Sequence, residues 1–158
     1  MPIVLSRVDD RLIHGQVVEG WLPVIQAERI VVVSDRSAQD SFQKSLMRLA
    51  VPDGIAVDVL TVTEAVVSLP KVAGSSERVL VLLAGVDELF RLSQAGFDLK
   101  RVNLGGLHDA PGRVMVLPHI ALSPEERGWL TVLIKKGLVV DTKALPRDSL
   151  EPLPECLC

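Results

Sequence analysis

The sequence predicts a single α/β domain, built as an open, mostly parallel sheet with helices on both faces. Short runs of β-branched residues alternate with longer amphipathic segments, which is the rhythm of βαβ units. Of the residues, 48% are hydrophobic but only 3% are aromatic, a composition typical of buried parallel strands covered by helices. A chain of 158 residues matches one domain of ordinary size, so we predict one domain over residues 1–158.

In the first half of the chain, predicted strands and helices alternate. Phe42, Leu46 and Leu49 recur at helical spacing, and the "VPDG" turn that follows them ends the helix. Pro70 and Gly74 predict a loop after the next helix. The predicted elements of this half are a strand at 2–7, a helix at 15–25, a strand at 29–34, a helix at 38–49, a strand at 55–60 and a helix at 62–69.

The second half begins with the run at 78–83, which is apolar from its second residue onward and therefore predicts a central strand. Glycines and prolines in 105–122 break the rhythm and predict a turn into an antiparallel strand along the sheet edge. Ser123 as N-cap, Glu126 at the third helical position and Gly137 as a stop bound a well-marked helix. The predicted elements are strands at 78–83, 101–104 and 138–141, helices at 87–94 and 123–137, and an irregular tail at 147–158.

Charge and cysteine content exclude several classes of function. A net charge of −3 and scarce aromatic residues argue against nucleic-acid binding. Charged residues interrupt the first ten positions, so no signal peptide is predicted, and the longest uncharged stretch, 114–124, is too short to span a bilayer. The only cysteines are Cys156 and Cys158, which fits a reducing compartment. We expect a cytoplasmic protein, with docking on a membrane protein left open.

The stretch "RVDDRLIHG" at 7–15 carries the residues best suited to chemistry. In an open parallel sheet, ligands bind at the carboxyl ends of the strands, and there His14 would face solvent. A neutral imidazole held by a partner is a nucleophile, and guanidinium groups of Arg7 and Arg11 could stabilise a transferred phosphoryl group. Asp10 could orient the ring or restrain Arg11, and the helix start at Gly15 adds backbone N–H groups. These residues supply what phosphoryl transfer on His14 would need.

A simpler interpretation stands beside this one. A histidine next to a glycine is often a surface residue, and Arg7 with Asp9 or Arg11 with Asp10 could form surface ion pairs of little energetic value. Short motifs of this kind are weak on their own.

A longer pattern resolves this ambiguity. "RVDDRLIHGQV" closely resembles the signature of the IIB component of the mannose/sorbose class of the phosphoenolpyruvate-dependent sugar phosphotransferase system, and the resemblance covers nearly the whole chain. The other positions that fit the family pattern are Trp21, Asp35, Ala38, Asp40, Pro52, Gly54, Asn103, Gly105, Gly106 and Pro146.

The resemblance implies that His14 is the phosphorylated nucleophile, with Arg7, Asp10 and Arg11 as its surroundings. It implies a transferase component that takes a phosphoryl group from a phosphohistidine IIA partner and passes it to a sugar on a membrane IIC/IID transporter. It implies no cofactor and no metal. A regulatory or anion-binding module with the same turn is the alternative, and a homo-oligomer is left open.

Two further histidines are predicted to have lesser roles. His108 is expected to be an ordinary loop residue, although it could help guide a partner's phosphohistidine. His119 is expected to be a structural residue on a strand.

Overall fold

Six parallel strands form the main sheet of the computed structural model, which describes residues 2–150. All the strands follow in chain order: β1 Ile3–Asp9, β2 Arg29–Val33, β3 Ala56–Leu60, β4 Val79–Leu83, β5 Arg101–Gly106, β6 Val114–Leu117, β7 Ile120–Leu122 and β8 Val139–Asp141. The order across the main sheet is β3-β2-β4-β1-β5-β8. The predicted fold class, an open parallel sheet, is confirmed, and β4 is buried along its whole length as expected.

Helices cover both faces of the sheet. They are a π-helical segment at Gln16–Trp21 that runs directly into α1 at Leu22–Ile25, then α2 Asp35–Ala38, α3 Ser41–Ala50, α4 Val62–Ala73, α5 Val86–Gln94 and α6 Pro124–Lys135. α4, α5 and α6 pack on one face. The π-helical segment, α1 and α3 pack on the other. The chain therefore leaves β1 toward one face and β5 toward the other, which opens a crevice between the carboxyl ends of these two neighbouring strands.

Capping residues explain where several helices begin. Ser123 accepts a hydrogen bond from the Glu126 backbone N–H, and the Glu126 side chain accepts one from the Ser123 backbone, so the predicted capping box of α6 is present. α4 continues past Pro70 to Ala73, four residues beyond the predicted end at Leu69, so Pro70 lies in the helix and not in the predicted loop. A proline removes only one backbone donor, and the buried side chains of α4 hold the helix together.

Two segments differ in detail from the prediction. The antiparallel strand expected in 105–122 forms a hairpin of its own, β6 with β7, because β8 already occupies that edge of the main sheet. The predicted helix at 38–49 corresponds to α3, which begins at Ser41 because Asp40 caps its start, and the short α2 precedes it as a separate helix. Of the apolar residues of α3, only Met47 is buried, whereas the side chains at the predicted helical spacing face solvent.

Candidate functional site

The site is built at the carboxyl end of β1. Arg7 and Asp9 share one face of the strand there, because side chains two residues apart point the same way. Both side chains are fully buried. The Arg7 guanidinium donates to Asp9 Oδ2 (3.0 Å), to Asn103 Oδ1 on β5 (2.6 Å) and to the carbonyl of Lys143 (3.2 Å). It also lies over the Trp21 ring, 5.3 Å from the centroid. Burial lowers the pKa of Arg7, against the opposing pull of Asp9.

Gly105 makes room for this buried guanidinium. A Cβ atom placed on Gly105 would lie 1.9 Å from Arg7 Cζ, a distance that no side chain can occupy. The resemblance placed Gly105 among the family positions without a structural reason. The reason is steric, because β5 approaches Arg7 too closely for any residue but glycine.

Asp9 is the centre of the site. Its carboxylate accepts hydrogen bonds from Arg7, from the backbone N–H of Arg11 (3.0 Å), from the Arg11 side chain (3.3 Å) and from His14 Nε2 (2.9 Å). Burial raises the pKa of the Asp9 carboxyl, but the hydrogen bonds from His14 and Arg11 and the charges of His14 and Arg7 outweigh that effect. The pKa falls to about 2, so Asp9 is a permanent anion near neutral pH.

The turn between Asp9 and His14 is held in a strained conformation. Leu12 has a φ of 60°, which is unfavourable for a side chain with a Cβ, and its side chain is nevertheless buried in the core. Its backbone N–H donates to the carbonyl of Asp9 (3.0 Å). Strain of this type persists where surrounding contacts fix it, and here it turns the chain sharply enough for His14 to face back to Asp9.

His14 is more enclosed than expected. Its side chain is only 16% exposed, because the ring packs against Asp9 instead of projecting into solvent. A carboxylate can only accept, so the bonding partners assign the ring proton to Nε2 and leave the lone pair on Nδ1. The backbone N–H of Gln16 donates to Nδ1 over a long 3.3 Å, and a Cβ on Gly15 would meet open space. Nδ1, which carries the lone pair, therefore lies at the start of the π-helical segment.

Asp10 does not hold the ring. Its carboxylate instead accepts from the backbone N–H of His108 (2.8 Å) and lies 2.5 Å from His108 Nδ1. Asp10 follows the last residue of β1, and the chain there points its side chain away from Asp9 toward the loop after β5. The predicted orienting role of Asp10 therefore belongs to Asp9, and Arg11 likewise pairs with Asp9.

Arg11 and His108 line one cleft of about 280 Å³ beside the site, together with the side chains of Gln16 and His119. The Arg11 side chain is 37% exposed and donates to Gln16 Oε1 (2.9 Å). His119 lies in the turn between β6 and β7, not on a strand, and its Nε2 donates to the carbonyl of Thr142 (2.6 Å). That bond agrees with the structural role predicted for His119.

For three residues of the site the sequence predicted no functional role: Asp9, Gln16 and Asn103. The signal for Asp9 was present, since it stands two residues after Arg7 and would share its strand face. Gln16 lies within the signature and Asn103 among the positions that fit the family pattern, but no local pattern gave either residue a role. Within residues 2–150 no group of three His, Cys, Asp or Glu side chains could hold a metal ion. Of the helices in that range, none combines the length and hydropathy needed to cross a bilayer.

The fold and the site define a parallel α/β domain with a carboxylate-held imidazole at the carboxyl edge of its sheet. A family model described as the PTS system sorbose subfamily IIB component matches residues 3–158. The chain belongs to this family of phosphotransferase-system IIB components. Components of this type are transferases with a phosphotransfer role in sugar transport.

Curated relatives cover almost the whole chain. The fructose-specific EIIB component of Bacillus subtilis is 29% identical over 99% of this chain and 96% of its own length. The sorbose-specific EIIB component of Klebsiella pneumoniae is 30% identical over 94% of this chain and 90% of its own. The mannose-specific EIIAB component of Escherichia coli K12 is 33% identical over 94% of this chain, but this match spans only 46% of its length.

Solved structures agree with this assignment. The IIB domain of the Klebsiella pneumoniae sorbose permease superposes with a TM-score of 0.87 at 30% identity, covering 96% of this chain and 93% of that one. The N-acetylgalactosamine-specific IIB component 1 of Escherichia coli gives a TM-score of 0.89 at 28% identity, covering 96% and 99%. Membership of this system, and relatives that join IIA and IIB in one name, imply IIA and membrane IIC partners.

Proposed function

We propose that His14 Nδ1 accepts a phosphoryl group from a phosphohistidine of a IIA donor. The supporting observation is the 2.9 Å contact between His14 Nε2 and Asp9, which keeps the proton on Nε2 and the lone pair on Nδ1. In the step, the donor's N–P bond breaks as the bond to Nδ1 forms. The electron pair of the broken bond stays on the donor imidazole.

Arg11 is the cation available to the transferred group. Its guanidinium is partly exposed, and its side-chain bonds to Asp9 are long at 3.3 and 3.4 Å, so it can turn toward phosphoryl oxygens at small cost. Arg7, by contrast, is fully buried and acts through Asp9, which it holds beneath the imidazole. Asp10 supports the rim of the cleft through His108 and does not contact His14 in this proposal.

The phosphoryl group then passes from His14 to a sugar held by a membrane IIC/IID transporter, to which the protein docks from the cytoplasm. The names of the relatives cover fructose, sorbose, mannose and N-acetylgalactosamine, so we propose a sugar of this group as the acceptor. No cofactor or metal takes part, because arginine and backbone N–H groups supply the positive charge.

Intact-mass measurement tests the first step. Incubation with a phosphorylated IIA donor should add one phosphoryl group to the wild type, and mild acid should remove it, as expected for a phosphoramidate. His14→Ala should remain unlabelled, His108→Ala should still be labelled, and a chelator should leave the rate unchanged. Labelling of His14→Ala equal to that of the wild type would exclude His14 as the acceptor. Labelling of His14 without transfer to any sugar would favour the regulatory alternative.

A further inference from the structure

A second imidazole–carboxylate pair lies beside the candidate site. His108 Nδ1 is 2.5 Å from Asp10 Oδ1, and the other oxygen of Asp10 accepts the backbone N–H of the same histidine (2.8 Å). Because a carboxylate only accepts, the proton of the ring is on Nδ1 and the lone pair is on Nε2. The His108 side chain is 61% exposed, so Nε2 is open to a visiting molecule.

His108 is held firmly for a loop residue. Arg113 donates to the His108 carbonyl (3.0 Å) and lies 3.7 Å from Asp10. The same guanidinium is anchored by two 3.0 Å bonds to Glu126 on the first turn of α6. The end of β1 and the start of α6 thus fix the position of the imidazole together, although the residue itself belongs to neither element.

His108 lines a cleft together with a residue that contacts the proposed phosphoacceptor. His108, Arg11 and Gln16 all line it, and the backbone N–H of Gln16 contacts His14 Nδ1. A group bound on Nδ1 at this helix start would therefore lie next to the cleft that His108 lines. An acceptor molecule in the cleft would be near both the phosphoryl group and the free nitrogen of His108.

We propose that His108 is a catalytic base for the second transfer, from phosphorylated His14 to a sugar hydroxyl; this inference rests on the proposed function. The hydroxyl oxygen attacks phosphorus, the P–N bond to His14 Nδ1 breaks, and its electron pair returns to that nitrogen. The hydroxyl proton moves to His108 Nε2, while Asp10 stabilises the imidazolium that forms. His14 cannot take this proton during the attack, because Nδ1 is the leaving group on the side of phosphorus opposite the hydroxyl and Nε2 donates to Asp9.

The two transfers differ in their need for a base. The first moves a phosphoryl group between two imidazole nitrogens and releases no hydroxyl proton. The second converts an alcohol into a phosphate ester, and the proton must leave. Loss of His108 should therefore slow discharge to sugar while His14 is still charged by the donor.

The experiment measures discharge of purified, fully phosphorylated protein in membrane vesicles from the source cells, with fructose, sorbose, mannose and N-acetylgalactosamine each as acceptor. His108→Ala should discharge more slowly by on the order of a hundredfold. Added imidazole should restore much of the rate, because the exposed position admits a free base. His119→Gln is the matched control, since it removes another imidazole from the same cleft while keeping a donor to the Thr142 carbonyl.

Discharge of His108→Ala at the wild-type rate would overturn the inference and leave the proposed function intact. A slow variant that imidazole does not restore would also overturn it, because His108 would then be a docking contact. If the wild type is charged at His14 but discharges to none of the sugars, transfer to sugar fails and the inference fails with it. Intact-mass measurement shows separately whether the donor charges His14, so a failure of the first transfer is distinguished from a failure of the second.

Discussion

Two neighbouring aspartates at the end of β1 each hold a histidine, and the two pairs differ mainly in burial. Asp9 is fully buried and its partner His14 is 16% exposed, whereas the side chains of Asp10 and His108 are 25% and 61% exposed. Both pairs have short contacts between ring nitrogen and carboxylate, 2.9 and 2.5 Å. The comparison teaches that hydrogen-bond geometry alone does not separate the proposed nucleophile from the proposed base. The surroundings of the carboxylate do.

Those surroundings are unlike in charge. Asp9 is enclosed by the guanidinium groups of Arg7 and Arg11, which fix a permanent anion beneath its imidazole. Asp10 has one guanidinium nearby, that of Arg113 at 3.7 Å, and otherwise meets the His108 backbone. The Asp9–His14 pair is therefore part of the buried interior of the domain, and the Asp10–His108 pair lies at its surface.

The largest expected effect comes from replacing the two aspartates in turn. Asp9→Asn removes the counter-charge of the buried Arg7, and an unpaired buried charge costs about 3–5 kcal/mol of unfolding free energy. Asp10→Asn affects a partly exposed pair worth about 1 kcal/mol or less. Thermal unfolding of both variants measures the difference. Equal losses would show that burial does not distinguish the pairs.

Arg11→Gln tests the partly exposed guanidinium that contacts Asp9, the carboxylate of the buried pair. Contacts to transition-state charge are worth roughly 2–4 kcal/mol, so phosphoryl transfer to His14 should slow by on the order of a hundredfold. The melting temperature should change little, because this side chain is partly exposed. Quenched-flow labelling from a phosphorylated IIA donor gives the rate. A wild-type rate combined with a lower melting temperature would make Arg11 a structural partner of Asp9 only.

Gly105→Ala tests the close packing of β5 against the Arg7 guanidinium without removing a charge. The new Cβ would meet the guanidinium at 1.9 Å, and overpacking of this kind costs typically about 1–3 kcal/mol. Gly106→Ala is the matched control on the same strand, because its Cβ would meet its nearest neighbours, Arg11 and the Asp9 carboxylate, at 3.1 and 3.2 Å, which is tight but far from the overlap at Gly105. Denaturant unfolding should show the larger loss at Gly105. A larger loss at Gly106 would contradict the steric account of the buried arginine.

The smallest effect is the dependence of stability on pH. The pKa of Asp9 falls to about 2 in the folded protein from a usual value of 3.8, so the folded state binds this proton less readily than the unfolded state. Its contribution is complete above the usual value and is lost as the pH falls toward 2. The difference in unfolding free energy between wild type and Asp9→Asn should therefore shrink over that acid range. A constant difference would mean that the carboxyl titrates normally.

Much of the fold was predictable because local pattern and topology agree. Runs of β-branched residues marked the parallel strands, and capping residues marked the start of α6. The solvent-facing side of α3 was not predictable, since helical spacing identifies an apolar stripe but not whether another element covers it. Phe42 and Leu49 are 69% and 82% exposed for that reason.

The sequence singled out His14, the proposed nucleophile, together with Arg7 and Arg11, but not the carboxylate that holds its ring. A signature along the chain pointed to His14, but the choice between Asp9 and Asp10 depends on the residue at which β1 ends, and strand ends are poorly marked in sequence. The roles of Asn103 and Gly105 depend on how closely β5 packs beside β1. That distance is a tertiary property, and the local sequence does not specify it.

The buried arginine has a consequence for folding. Arg7 bonds to Asn103, 96 residues further along the chain, and to the carbonyl of Lys143, 136 residues away. Contacts between such distant residues close long loops and are expected late in folding. A chain still emerging from the ribosome has His14 early in its length but cannot yet fix Asp9 beneath it. The surroundings of His14 are thus complete only when the chain has been made as far as Lys143, and the phosphate-carrying role proposed for His14 would depend on that.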